Sequence, residues 1–376
     1  LIEVFKAHNI KYVFMNGGND TMEKCIILKE YAEKQNYDLK VIGVPKTVDN
    51  DLLVTHRCPG YGSFAKQVAM TTMSLQADLD SFGLQDNATQ GGSVKEGAVA
   101  QVVVFMGRDE GWGAAAAVAA KIDESYGPHV ILTKEGGFDA DKFIARCQEA
   151  WDKYGRLLVV AAEGAHDGEQ YVANYPEITA YRHQLMFKVA TDAHKNTSVS
   201  DSRLGLFLKM LIEKNLKINT NVYGAMKVRE EGPDYLNRNN VEIMSAVDFQ
   251  DAINVGAKAA DIMLGEDRDG VMVTLTWEMG KTGETPLSTV ADSSKGSKAM
   301  TRSLSVLNEG DNKILSEDGM MINRDLYMKY AEHFLDLNGP NRREVLYKEG
   351  YKLPLERIRW DLLDRKLPSY VKTAKK

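Results

Sequence analysis

Met15-Asn16-Gly17-Gly18-Asn19-Asp20-Thr21 lies where an apolar run, Lys11 to Met15, gives way to a helical pattern over Thr21 to Gln35. Glycine lets a backbone approach a ligand closely, and the amides that open a helix are unpaired and carry partial positive charge. The junction therefore suits a phosphate, although read alone it is more simply a tight turn with a helix cap. The same alternation repeats outward along the chain. Lys40 to Val44, Gln101 to Phe105, His129 to Thr133, Leu157 to Ala162 and Val271 to Thr276 are strand candidates. Ser63 to Ala77, Trp112 to Ser125, Asp141 to Tyr154, Arg203 to Lys214 and Val247 to Leu264 carry helical spacing. Short strands alternating with longer helices predict an α/β fold with a mostly parallel sheet and ligand sites at the carboxyl ends of its strands.

Composition narrows the function classes. With 376 residues the chain has room for about two to three domains. Its 47 basic and 53 acidic residues leave a formal charge of −6, so there is no global basic field for nucleic acid or an anionic membrane. No apolar run is long enough to span a bilayer. Cys25, Cys58 and Cys147 offer neither a disulfide framework nor metal-knuckle spacing, which points to a reducing, cytoplasmic compartment. The seven histidines show no zinc-binding spacing. Leu1 is not methionine, and Leu1 to His8 reads as an amphipathic helix leading into a strand, so an upstream segment is expected. Leu79 to Lys95, Ala165 to Ser200 and Ser288 to Lys298 read as loops, Met320 to Phe334 as a core helix, and the part after Asn338 as a solvated extension.

A second strand end carries Gly43-Val44-Pro45-Lys46-Thr47-Val48-Asp49-Asn50-Asp51. Two carboxylates at i and i+2, with a lysine just before them, set a general base beside a fixed cation, as phosphoryl transfer to a hydroxyl requires. The plainer alternative is a loop in which Pro45 and Asn50 set the backbone and both aspartates face water.

Together, Gly-Gly-Asn-Asp-Thr and Pro-Lys-Thr-Val-Asp-Asn-Asp resemble the phosphofructokinase family, in particular its pyrophosphate-dependent branch. Further segments fit in order: Pro59-Gly60-Tyr61-Gly62-Ser63, Met106-Gly107-Arg108 with Gly111-Trp112, Glu135 ahead of Phe138-Asp139, Glu163-Gly164, Tyr235-Leu236-Asn237-Arg238, and Gly270 to Thr274. The likeness runs over residues 8 to 335 and is strongest before 115.

The resemblance implies a two-lobed phosphofructokinase-like fold, each lobe a mostly parallel sheet flanked by helices. Residues 1–60 with 239–300 would form a phosphoryl-donor lobe, 61–238 a sugar-phosphate lobe, and 301–376 C-terminal helices with a peripheral extension. It also implies phosphate transfer from pyrophosphate to the 1-hydroxyl of fructose 6-phosphate, with Mg²⁺, in a homo-oligomer. By similarity Asp49 takes the hydroxyl proton, Lys46 stabilises the transferring phosphate, and Asp51 assists at the metal or orients Asp49. Thr47, Met106, Gly107, Arg108, Glu135, Tyr235 and Arg238 would contact the sugar phosphate, Gly17, Gly18 and Lys46 the donor, and Asn19 the metal. Asp20 and Lys46 replace the glycines typical of ATP-dependent relatives; the carboxylate would repel the α-phosphate of ATP while the lysine balances a smaller donor.

Several positions depart from the family pattern. Asn19 stands where many relatives carry a metal-binding aspartate, and Asp109 and Glu110 bring negative charge next to a phosphate site. Gly136-Gly137 is expected to loosen the loop after Glu135, and Asn237 replaces a glutamine. The family's first glycine-rich phosphate loop would precede Leu1. Two other readings stay open: an ATP-dependent phosphofructokinase, and a catalytically impaired regulatory or structural homologue.

Overall fold

A computed structural model describes residues 1–82, 99–184, 203–218, 226–233, 235–240, 242–265, 268–292 and 300–339. The expected segments 83–95, 185–200 and 293–298, and the extension from 340 on, lie outside the described residues. Eight strands are present: β1 (Tyr12–Gly17), β2 (Lys40–Pro45), β3 (Val99–Phe105), β4 (Val130–Leu132), β5 (Leu157–Ala162), β6 (Lys227–Glu231), β7 (Val271–Leu275) and β8 (Thr282–Pro286). They form two sheets, ordered β1-β2-β7-β8 and β4-β5-β3-β6. Every pairing is parallel except that of β7 with β8. This is the expected α/β architecture of two mostly parallel sheets flanked by helices.

Strands buried on both faces need continuous apolar runs, and β5, with all six residues buried, has one in Leu-Leu-Val-Val-Ala-Ala. Helices then cover the sheets. Ala246–Leu264 starts where the Ser245 hydroxyl accepts from Asp248 N, and it packs Val255, Ala259 and Ile262 against Ile42, Val44 and Val273. Ala140–Tyr154 begins at the Asp139 cap and stops at Gly155, whose φ of 62° is the left-handed conformation that ends helices. Tyr61–Phe82 leaves the first sheet's loops and runs under β3, while the core helix Arg324–Leu335 brings Tyr327, Tyr330 and Phe334 into the same core as Tyr61, Phe64 and Trp112.

Element boundaries differ from expectation where tertiary burial overrides local pattern. The helix expected over Trp112 to Ser125 is one α turn, Trp112–Ala115, then a 3-10 stretch, Ala116–Ala120. All of it is buried, so its alanines are packing units between larger neighbours. Leu79 to Phe82, read as loop, closes the helix Tyr61–Phe82. Val172–Asn174 and Pro176–Gln184 are helical within the segment read as irregular from Ala165, and Leu287–Val290 forms a turn of helix at the start of the third loop. β6 and β8 escaped sequence reading: Lys-Val-Arg-Glu-Glu and Thr-Gly-Glu-Thr-Pro carry the charge and punctuation typical of edge strands.

Candidate active site

Parallel pairing puts the two motif loops side by side. Gly17 of β1 is in register with Pro45 of β2, and Lys46 N donates to Gly17 O at 3.0 Å. Both loops therefore leave the same carboxyl edge. Gly18 opens the helix Asn19–Lys34, and a Cβ on Gly17 would lie 2.0 Å from the Thr21 hydroxyl, so this tight turn requires glycine. Asp20, exposed in the helix's first turn, is favoured there by the helix dipole.

The second loop is fastened from several directions. Thr47 N donates to Pro59 O at 3.2 Å, and the Thr47 hydroxyl accepts from Asp49 N at 3.1 Å. Asn50 sits at a φ of +56°, a conformation asparagine tolerates, and its amide donates to the Tyr330 hydroxyl and accepts from Cys58 N. Arg302 closes the cradle. Its guanidinium donates to the carbonyls of Asn50, Thr55 and His56 and to Tyr330, its backbone N–H donates to Asp51 O at 2.8 Å, and it stacks 4.4 Å from the Trp112 ring centroid.

Lys46, Thr47, Asp49 and Arg238 line one cavity of about 630 Å³, whose lining also includes Ser63, Asn237 and Asp248. Arg238 stacks on the exposed Tyr235 ring at 4.5 Å, a geometry that holds the guanidinium fork in place. Desolvation raises the Asp49 pKa above the usual carboxylate range, and Asp109 adds to the rise; Arg108, Lys46 and the Thr47 hydrogen bond oppose it. Asp51 is pushed up to about 7, again chiefly by burial and then by Asp49. Asp49 and Asp51 are thus neighbouring acids whose pKa values are both raised, each by desolvation first, with Arg108 and Lys46 opposing the rise at Asp49.

Other expected site residues lie around this centre. Gly107 takes a φ of +136°, open to glycine, and accepts from Gly164 N at 3.1 Å, which holds the Met106-Gly107-Arg108 turn against the end of β5. Met106 packs on the core, and Arg108 reaches the centre through its charge on Asp49. Glu135, expected to contact the sugar phosphate, lies outside the lining of this cavity, and its carboxylate accepts from Gly111 N and Leu304 N, bracing two loops. The two added acids diverge. Asp109 bears on Asp49, whereas Glu110 turns inward to the Thr301 hydroxyl and to Glu135, and its pKa rises to about 7 through burial and that carboxyl contact. Gly136 also differs from expectation: a Cβ there would meet Gly319 O at 2.0 Å, so the glycine permits close backbone packing instead of loosening the loop.

The phosphofructokinase family profile matches residues 1–261. The chain belongs to the phosphofructokinase family. A pyrophosphate–fructose 6-phosphate 1-phosphotransferase from Halomonas elongata is 41% identical over 153 residues, 41% of this chain and 34% of that protein. The protein of that name from Rhodospirillum rubrum is 33% identical over 277 residues, 73% of this chain and 61% of that protein. The matches thus span less than two thirds of either relative. The crystal structure of a pyrophosphate-dependent phosphofructokinase from Marinobacter aquaeolei superposes with a TM-score of 0.65 at 28% identity, covering 91% of this chain and 71% of that one.

No group of three or more His, Cys, Asp or Glu side chains among the described residues is arranged to hold a metal ion. Asn19 nevertheless has a buried Oδ1 with no hydrogen-bond partner, while its Nδ2 donates to Asp51 at 2.6 Å. One amide oxygen beside one carboxylate fits a hard cation that takes its remaining ligands from phosphate oxygens and water. Sequence reading passed over Arg302, Tyr330 and Asp248. Asp248 accepts from Gly60 N, Ser63 N and the Ser63 hydroxyl, pinning the start of the helix Tyr61–Phe82 beside the cavity. Nothing local marks their role at the site, since the partners they meet there lie some 28 to 280 positions away along the chain.

Proposed function

We propose that this chain transfers a phosphoryl group from pyrophosphate to the 1-hydroxyl of fructose 6-phosphate, giving fructose 1,6-bisphosphate and phosphate. The observation that carries this reading is the convergence of Asp49, Lys46, Thr47 and Arg238 on one cavity. Asp49 accepts the hydroxyl proton as the sugar oxygen bonds to phosphorus and the bridging P–O bond of pyrophosphate breaks. A carboxylate whose pKa is raised by desolvation is a stronger base than a solvated one, and Arg108 and Lys46 favour its ionised form. The same two cations offset charge that builds on the transferring group.

Arg238, seated on Tyr235, grips the 6-phosphate, and Met106, Gly107 and Arg108 border the sugar. Gly17 and Gly18 receive the donor. Asn19 and Asp51 would hold Mg²⁺, which when bound supplies charge neutralisation to the pyrophosphate. Asp20 and Lys46 select pyrophosphate over ATP. We assign the donor lobe to residues 1–60 with 239–300, the sugar lobe to 61–238, and 301–376 to C-terminal helices and an extension. The working form is a homo-oligomer in the cytoplasm, where the buried, unpaired Cys25, Cys58 and Cys147 fit a reducing environment.

The test is formation of fructose 1,6-bisphosphate by the purified protein with pyrophosphate or ATP. Turnover with pyrophosphate well above that with ATP is expected, and D20G/K46G should narrow the gap. Equal or faster turnover with ATP would overturn the donor assignment. Binding of fructose 6-phosphate with no turnover from either donor would make the chain a non-catalytic homologue.

A further inference from the structure

Asn237 lies on the single helical turn Leu236–Asn239, and this turn is inverted in polarity. Its leucine is 71% exposed and the preceding Tyr235 is 52% exposed, while the asparagine is buried to 3%. Burial of apolar surface would drive the opposite arrangement. The asparagine is also unsatisfied: neither Oδ1 nor Nδ2 has a hydrogen-bond partner, and neither touches solvent. Such a group is costly to bury, and a fold keeps one where a bound molecule completes it. Asn237 lines the same cavity as Arg238, Lys46 and Asp49, which sets this unpartnered amide at the wall of the space a ligand would fill.

The chemistry of the amide defines what it reads. The sugar's ester phosphate, as its dianion, only accepts hydrogen bonds and would leave Oδ1 unmet and repelled, whereas sugar hydroxyls both donate and accept and so suit both ends of the amide. We propose that Asn237 is a specificity-determining contact that recognises a hydroxyl of the sugar whose phosphate is held by Arg238. This rests on the acceptor half of the proposed function and adds to it how the site tells a phosphorylated sugar from phosphate alone. A site built to bond a hydroxyl rejects analogues that lack it far more strongly than an apolar pocket rejects a missing methylene.

Calorimetric titration of the full chain with fructose 6-phosphate and with inorganic phosphate, without pyrophosphate, tests this. Asn237→Leu should weaken fructose 6-phosphate at least tenfold and leave inorganic phosphate within about twofold, because the phosphate contacts are untouched. An unchanged ratio of the two affinities would overturn the proposal, as would equal loss of both, the mark of a merely structural residue. Should the leucine variant not fold, the wild-type protein titrated with a series of monodeoxy fructose 6-phosphates decides: at least one must bind tenfold more weakly, and uniform binding across the series overturns the idea. Absence of pyrophosphate turnover with Asn237-dependent sugar binding would sink the proposed reaction and leave this inference standing. Turnover with an unchanged fructose 6-phosphate KM in Asn237→Leu would do the reverse.

Discussion

Replacing Arg302 isolates what the cradle contributes to the loop that carries Asp49. Its guanidinium satisfies the carbonyls of Asn50 and Thr55, both in fully buried residues, and that of the half-buried His56. A buried carbonyl left without a partner costs about 1–3 kcal/mol, so Arg302→Met, which removes every side-chain donor, should lower unfolding free energy by about 3–4 kcal/mol. Arg302→Lys keeps the charge but loses the planar fork, so at least one carbonyl goes unmet and the loss should be about 1–3 kcal/mol. Both variants free the turn that carries Asp49, and a shift of about 1 Å at a reacting group costs on the order of 100-fold in rate.

The two variants separate geometry from charge. Arg302 lowers the Asp51 pKa against the burial and the Asp49 charge that raise it to about 7. Removing that positive charge should move the acidic limb of the pH–rate profile to higher pH in Arg302→Met and leave it in place in Arg302→Lys. Urea denaturation and pyrophosphate-dependent turnover measured across pH 5 to 9 provide both readouts. A methionine variant with the wild-type denaturation midpoint and an unmoved acidic limb would refute the reasoning.

Asp49→Asn should cut turnover by about 10²- to 10⁴-fold, the usual share of a general base, while calorimetric affinity for fructose 6-phosphate stays within a few-fold; retained turnover would remove Asp49 from the base role. Glu110 has its pKa raised from 4.5 to about 7 in the fold, so the stability tied to its proton is full below pH 4.5 and lost as pH rises through 7. Glu110→Gln should therefore flatten the fall in melting temperature between pH 5 and 8, and an unaltered slope would show that another group is responsible. At Gly164 a Cβ would lie 2.0 Å from Arg108 O, so Gly164→Ala should cost about 1–3 kcal/mol of stability and raise the fructose 6-phosphate KM by displacing Arg108; a KM at the wild-type value would detach Arg108 from the substrate.

Much of the molecule is written locally. β5 reads without error because a strand buried on both faces must be continuously apolar, and Gly155 and Ser245 mark helix ends because only certain residues meet those backbone demands. The loop chemistry was likewise legible: Lys46, Thr47 and Asp49 are neighbours in sequence at a strand end, so the cavity they share needed no distant partner to be foreseen. Edge strands β6 and β8 were not, because a strand with one open side is under little selection for apolar alternation.

Tertiary structure alone decided which side chains serve the site. Glu135 carries an acceptor whose oxygens bond two backbone amides, an arrangement set by where Gly111 and Leu304 come to rest. Glu110 could have faced the phosphate site beside Asp109, but folding brought Thr301 within 2.7 Å and turned it inward. The sequence by itself determined the parallel α/β layout and the acid-and-lysine loop, because strand period and turn chemistry are short-range. Arg302 and Tyr330 joined Asn50, and the neighbours Asn237 and Arg238 joined Lys46 and Asp49 in the cavity, only through packing between remote segments, for which no local pattern exists.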